Sequence, residues 1–390
     1  MTLVILGGRA FALEDDPIAP KDEGLPGQAE TQAPNRLLTP RDELEAQLIA
    51  WRRHFHANPE LANREFKTAE YIEAELRKIG FEDIRTKVGV TGIVATLRGA
   101  YPGPTVALRA DMDGLPVLEQ TGLPFASKAR GKRGLAVVPV MHACGHDAHM
   151  AIALGAAKVL MDRRDQLHGN VKFIFQPAEE GPPPGEEGGS RLMIREGALE
   201  NPKVDVIFGL HVWPAGPAGH IYARPAGTMA SSARLFVTVK GQQTHGAVPF
   251  MGVDPIVVAS QVVLGLQTII SRQVDNTPPS VISIGRFEGL GAHNIIPDEV
   301  KLVGTIRTLN IDVQEDLYNR VTRTARRIAE ASGARADVEI ERRAEIVFND
   351  PDLFQQMEPT LMRVAGEGRY HIARGVTASE DFAFYQKEVP

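Results

Sequence analysis

One cysteine in 390 residues leaves nothing to form an intrachain disulfide, so cysteine usage carries no information about redox compartment. Charge of one sign is lacking too. Acidic and basic residues are interspersed, the formal charge is −6, and no basic stripe is present to neutralise phosphates, which argues against nucleic acid as a partner. No apolar run approaches the roughly 20 residues needed to span a bilayer, and no basic amphipathic stretch stands out, so no membrane partner is expected. Internal repeats are missing, and the one low-complexity tract of note is Pro182-Pro183-Pro184-Gly185. What remains has the balance of a globular protein, with 43% hydrophobic and 24% charged residues. The chain is longer than one hydrophobic core usually serves, which predicts two domains or one domain carrying an insertion.

Residues 1–38 read as a flexible tail. Within it, residues 14–36 mix Pro, Asp, Glu, Gln and Gly with few large apolar side chains, too few to repay the entropy of ordering. Ahead of them a short apolar run over residues 2–7 and Ala10-Phe11-Ala12, in the A-x-A form favoured by signal peptidase, suggest a signal-peptide remnant. That predicts a periplasmic or secreted protein. The basic leader is missing, and the alternative is a disordered tail on a cytoplasmic one.

Thr39-Pro40-Arg41-Asp42 has the form of a helix start, and Leu44, Leu48, Trp51 and Phe55 follow at helical spacing. A second helix is expected over 68–78, stopped by Gly80. Strands over 92–97, 105–110, 170–176 and 204–210, with a helix over 149–163, then give an α/β pattern in which continuous runs such as Val171-Lys172-Phe173-Ile174-Phe175 suit a central sheet flanked by helices. Near Pro225 the pattern changes. Strands over 232–240, 280–287, 299–308 and 336–341 and helices over 254–272 and 313–332 follow in the order β-α-β-β-α-β, which is ferredoxin-like. The expected organisation is a domain formed by 39–224 and 343–390, with 225–342 inserted in it.

Four polar clusters follow strands of the α/β part: Asp111 and Asp113; Cys144, His146, Asp147 and His149; Glu179 and Glu180; and His211. Ligand crevices of open α/β sheets lie outside the carboxyl ends of the strands, so these clusters can converge. Singly, each has an ordinary reading as a turn residue, a small core side chain or a solvated loop. Together they supply thiol, imidazole and carboxylate, the ligand set of zinc and similar ions, in more copies than one ion needs. Two ions sharing a bridging ligand would polarise a carbonyl and activate a water, with Glu179 and Glu180 dividing the roles of ligand and proton acceptor. Reading Cys144 as a nucleophile with a histidine base leaves the four carboxylates unemployed and ranks below. A third reading keeps the fold and metals but not turnover, as a metal-stabilised dimer or binding protein.

Several motifs resemble the family of hippurate hydrolases, N-acyl-amino-acid amidohydrolases and auxin-conjugate hydrolases. They are Arg109-Ala110-Asp111-Met112-Asp113-Gly114-Leu115-Pro116, Met141-His142-Ala143-Cys144-Gly145-His146-Asp147, Phe175-Gln176-Pro177-Ala178-Glu179-Glu180-Gly181 and Gly209-Leu210-His211, within a similarity running from about Thr39 to Pro390. Thr244-His245-Gly246-Ala247, His293-Asn294-Ile295-Ile296-Pro297-Asp298 and Gly304-Thr305-Ile306-Arg307-Thr308 look like that family's lid and dimerisation domain. The resemblance implies a metallopeptidase-type catalytic domain acting on N-acyl amino acids, a homodimer, and two divalent ions, zinc or manganese, per subunit. By the same resemblance Cys144 bridges the ions, His146, Glu180 and His211 complete the ligands, Glu179 is the general base, and Asp113 orients a ligand imidazole. His245 would assist the oxyanion, in its own or the partner subunit's site, and Asn294 with Arg307 would hold the substrate carboxylate. The chain departs from the family at Phe250, where histidine is usual, and in an enlarged loop over 182–189. Relatives also continue beyond Ser379-Glu380-Asp381-Phe382 to a final histidine ligand. That implies a catalytic domain incomplete at its C-terminus and reduced hydrolysis.

Overall fold

The computed structural model describes residues 3–7 and 41–390; the Ala10-Phe11-Ala12 motif, the acidic proline-rich stretch and the Thr39-Pro40 cap lie outside the described residues. Contacts divide the chain into one unit of Val4–Tyr222 with Thr360–His371 and another of Ala223–Pro359 with Ile372–Pro390.

The first unit is built on an eight-stranded mixed sheet. At its centre Tyr101–Asp111 runs parallel to both of its neighbours, His168–Gln176 and Val206–Trp213. Gly92–Arg98 pairs antiparallel with His168–Gln176, and Asp83–Val88 forms that edge. Short strands Leu3–Gly7, Ile221–Ala223 and Tyr370–Ile372 extend the other side. Ile93, Ala95, Leu97, Phe173 and Phe175 pack against Trp51, Phe55, Ile72, Leu76, Met150 and Leu154 from the helices Arg41–Ala57, Phe66–Ile79 and His146–Met161. Val94 and Ile174, pointing to the opposite face, are buried as well, which explains apolar runs without alternation. The hairpin strands Arg130–Arg133 and Ala136–Pro139 and the helix Gly189–Arg195 carry no signal in the sequence, each being too short to set up a period.

The second unit contains the β-α-β-β-α-β series. Ser231–Lys240 lies between Glu299–Thr308 and Arg335–Ala344, and Ser280–Gly289 pairs with the outer side of Glu299–Thr308, all antiparallel. Leu235, Val237 and Val239 alternate onto the face covered by helices Pro255–Arg272 and Gln314–Ala331. Asp254 caps the first of these helices, accepting hydrogen bonds from the N–H groups of Ile256 and Val257. By length and composition this helix could cross a bilayer. Here Val258, Val262, Leu266 and Ile269 pack on the sheet, while Ile256, Val257 and Leu264 are exposed. Ala226–Met229 pairs with Val347–Asn349, so contacts group much of 343–390 with this unit.

Candidate active site

The first unit brings the four polar clusters together. Strand Tyr101–Asp111 delivers Asp111 fully buried at its carboxyl end. Arg109, two residues back and so on the same face, donates from Nη1 to Asp111 Oδ2 at 2.6 Å and from Nε to Gln176 Oε1 at 2.9 Å. His149 Nδ1 donates to Asp111 Oδ1 at 2.6 Å, and the Val212 N–H donates to His149 Nε2 at 2.9 Å. Both nitrogens of His149 are therefore engaged. Burial pushes the Asp111 carboxyl up, but His146, His149 and Arg109 outweigh it and hold the group well below the usual range.

Gly145 is what lets the next cluster turn into its helix. Its φ of +94° favours glycine, and a Cβ there would run into Val212 Cγ2. The helix consequently starts at His146, earlier than expected, with His146 in the first turn and Cys144 just ahead of it. His146 Nδ1 donates to the Asp113 carbonyl oxygen at 2.8 Å. Its Nε2 is buried without a hydrogen-bond partner among the described residues, 3.7 Å from Asp111 Oδ2 and 3.9 Å from Glu179 Oε2. His211 Nδ1 donates to the Val212 carbonyl at 2.7 Å, which leaves Nε2 as the acceptor, 3.4 Å from Cys144 Sγ.

The turn after strand His168–Gln176 carries Glu179 and Glu180, and their backbone N–H groups donate to Asp113 Oδ1 and Oδ2, each at 3.1 Å. The sequence motif implied that the Asp113 side chain orients an imidazole. In the structure the Asp113 backbone carbonyl, at 2.8 Å, and its carboxylate Oδ1, at 3.4 Å, both face His146 Nδ1, and the same carboxylate grips the glutamate turn.

The ligand atoms of Cys144, His146 and His211 lie within 4.8 Å of one another, and the same holds for His146, Glu179 and Glu180. The donor set of thiol, imidazole and carboxylate suits a zinc-like cation. So does the partnerless Nε2 of His146, since a buried polar atom left unpaired is costly. Burial opposes charge on His146, yet Asp111 and Asp113 raise its pKa well above the ordinary value, and a cation at Nε2 would satisfy the same field. Burial also pushes the Cys144 thiol up, the opposite of what an activated nucleophile needs. Asp111, Arg109 and His149 received no role from the sequence. The same-face i, i+2 spacing of Arg109 and Asp111 was the available signal.

Gly145→Ala tests the local geometry. A left-handed alanine alone costs about 1–2 kcal/mol, and the collision with Val212 adds to it, so we expect a lower Tm and poor metal retention after dialysis. A variant with wild-type metal content and Tm would show that the helix entrance tolerates a side chain.

In the second unit, Thr244–His245 pairs with Ile295–Ile296, and the Gly246 N–H donates to the Asn294 carbonyl at 2.7 Å, so His245 and Asn294 are neighbours. His245 is exposed, and its Nδ1 accepts from the Ala247 N–H at 3.1 Å, which leaves Nε2 to carry the proton. Phe250, at the departure from the family, is 84% exposed. Arg307 lies elsewhere. It pairs opposite Ser232, whereas the other end of the same ladder is Lys240 opposite Glu299, and His245 and Asn294 lie beyond that end. At about 3.3 Å per residue, Arg307 is roughly 25 Å from that end. The structure thus does not bring Arg307 together with Asn294. Instead Arg307 Nη1 donates to Ser379 Oγ at 2.9 Å.

Comparison with known proteins agrees with this geometry. A family model described as peptidase family M20/M25/M40 matches residues 107–390. The chain is 36% identical to N-acetyl-L-cysteine deacetylase of Bacillus subtilis, over 91% of this chain and 83% of that one. It is 40% identical to N-acyl-L-amino acid amidohydrolase of Geobacillus stearothermophilus, over 75% of each. Among solved structures, a Bacillus subtilis protein described as a dinuclear metal binding peptidase from the M20 family superposes with a TM-score of 0.76 at 34% identity, covering 90% of this chain and 88% of that one.

Proposed function

The chain belongs to peptidase family M20/M25/M40, and on that premise we propose that it hydrolyses the amide bond of N-acyl amino acids, releasing a carboxylic acid and a free amino acid. The carrying observation is the convergence of Cys144 Sγ, His146 Nε2 and His211 Nε2 beside Glu179 and Glu180, with His146 Nε2 buried and unpartnered. Cys144, His146, Glu180 and His211 would hold two divalent cations, zinc or manganese. Cations held there supply Lewis-acid polarisation of the scissile carbonyl and acidify the attacking water. Glu179 acts as the base: its carboxylate accepts a proton from the water and returns it to the departing amino nitrogen. Asp113 keeps both glutamates in place through their backbone amides, and Asp111 with the Val212 amide locks the His149 ring.

The chain acts as a homodimer in this proposal. His245, exposed and carrying a proton on Nε2, is suited to donate to a developing oxyanion, but within one copy it lies at the far end of the ladder from Arg307. A second copy supplies His245 and Asn294 to the metal site. Exposed Ile256, Val257 and Leu264 on helix Pro255–Arg272 offer apolar surface for that association.

A panel of N-acetyl, N-benzoyl and indole-acetyl amino acids tests the reading. Hydrolysis of at least one member should vanish on chelation and return with zinc or manganese. Turnover that survives removal of the metals would sink the proposal, and a metal-loaded protein inert on the whole panel would point to the binding-protein alternative.

A further inference from the structure

Asp113 grips two of the three amides in the turn that carries Glu179 and Glu180; the third belongs to Ala178. Ala178 has a φ of +54°, a left-handed backbone that a non-glycine residue adopts only when its surroundings impose it. Its N–H donates to Glu65 Oε1 at 3.0 Å. Glu65 precedes helix Phe66–Ile79, is fully buried, and also accepts from the Asn63 N–H at 3.1 Å, while its Oε2 is hydrogen-bonded with Thr91 Oγ1 at 2.6 Å. We propose that Glu65 is a positioning residue for the general base: with Asp113 it fixes three consecutive backbone amides, those of Ala178, Glu179 and Glu180, and so sets where the two glutamate side chains start.

The segment around Glu65 is a bracket. On one side the Gly114 N–H donates to the Glu60 carbonyl at 2.7 Å, next to Asp113. On the other, Asn63 Nδ2 donates to the Glu187 carbonyl at 2.9 Å, and Arg64 pairs with Glu186, which ties down the enlarged loop after the glutamates. One short stretch of chain therefore braces both loops that build the site. Nothing in the sequence pointed to Glu65, because its partners are far along the chain.

Burial first, and the Asp113 charge second, push the Glu65 carboxyl up to about 8. Near neutral pH it is therefore protonated, which avoids placing two like charges behind the turn. A neutral carboxyl can receive the two amides on Oε1 while its proton on Oε2 is shared with Thr91. Glutamine reproduces that pattern with its carbonyl and NH₂ group, whereas methionine fills the volume without accepting either amide.

The test uses the metal-loaded full chain and rests on Glu179 being the base. Glu65→Gln should keep kcat within about threefold of wild type. Glu65→Met should lower kcat by about tenfold or more with KM little changed, as for loss of an interaction that matters in the transition state, and retain its metals. Hydrogen exchange supplies a readout independent of turnover, and it decides the matter if Glu65→Met does not fold: the Ala178 amide should be protected in the wild type and in Glu65→Gln. The proposal is overturned if that amide exchanges at the rate of an open loop in the wild type, if folded Glu65→Met keeps wild-type kcat, or if Glu65→Gln is as impaired as Glu65→Met. Failure of the base assignment itself would show separately, as undiminished turnover in Glu179→Gln.

Discussion

Glu179→Gln is expected to lower kcat by about 10²–10⁴-fold, the usual contribution of a positioned general base, while metal content and Tm stay at wild-type values. The amide of glutamine has nearly the shape of the carboxylate but cannot take the proton of the attacking water. The fold should not notice, since the turn is held through backbone amides that the substitution leaves intact: Glu179 N to Asp113 Oδ1 and Glu180 N to Asp113 Oδ2. Glu180→Gln should behave differently and loosen a metal. Metal analysis after dialysis, run beside steady-state kinetics, separates the two. Equal metal loss in both variants, or wild-type kcat in Glu179→Gln, would mean that the roles of the adjacent glutamates have been misassigned.

A second large effect is expected at His245, and it can be located as well as measured. Removing one oxyanion donor typically costs about 10²–10³-fold in kcat, so His245→Ala should fall in that range with a much smaller change in KM. Because the proposed dimer supplies His245 from the partner copy, the missing donor should be restorable from another chain. Glu179→Gln and His245→Ala proteins are each nearly inactive alone. Unfolded or dissociated, mixed in equal amounts and reassembled, they should recover roughly a quarter of wild-type activity, because half of the dimers are mixed and each mixed dimer has one site with both an intact base and an intact histidine from its partner. If His245 served its own subunit, every site in the mixture would lack one group and no activity would return. A chain that stays monomeric while fully active would remove the dimer from the proposal altogether.

The periodic parts of the fold were open to sequence reasoning because their signals are local. Leu235, Val237 and Val239 alternate, Asp254 and Pro255 open a helix, and a continuous apolar run marks a strand covered on both faces, so the β-α-β-β-α-β series and the central sheet follow from neighbours a few residues apart. Short irregular pieces gave no such signal. The hairpin Arg130–Arg133 with Ala136–Pro139 is polar and brief, and the early start of helix His146–Met161 depends on a left-handed Gly145 that a residue letter alone does not reveal.

The site divides in the same way. Residue chemistry and the placement of polar clusters after strands named the candidates: Cys144, His146, His211, Glu179, Glu180 and Asp113 are legible as donors because thiol, imidazole and carboxylate beside apolar runs are costly to bury without partners. What each donor does was left to the tertiary structure. It decided that His149 has both nitrogens spent on Asp111 and Val212, whereas His146 keeps Nε2 unpartnered. It also showed Asp113 meeting an imidazole with both backbone and side chain while its side chain holds a turn, placed Arg307 far along the ladder from Asn294, and brought Glu65 to Ala178 across 113 residues of sequence. A hydrogen-bond partner is fixed by where the backbone goes, and the backbone's path at long range is set by packing of the whole sheet and its helices rather than by any local pattern.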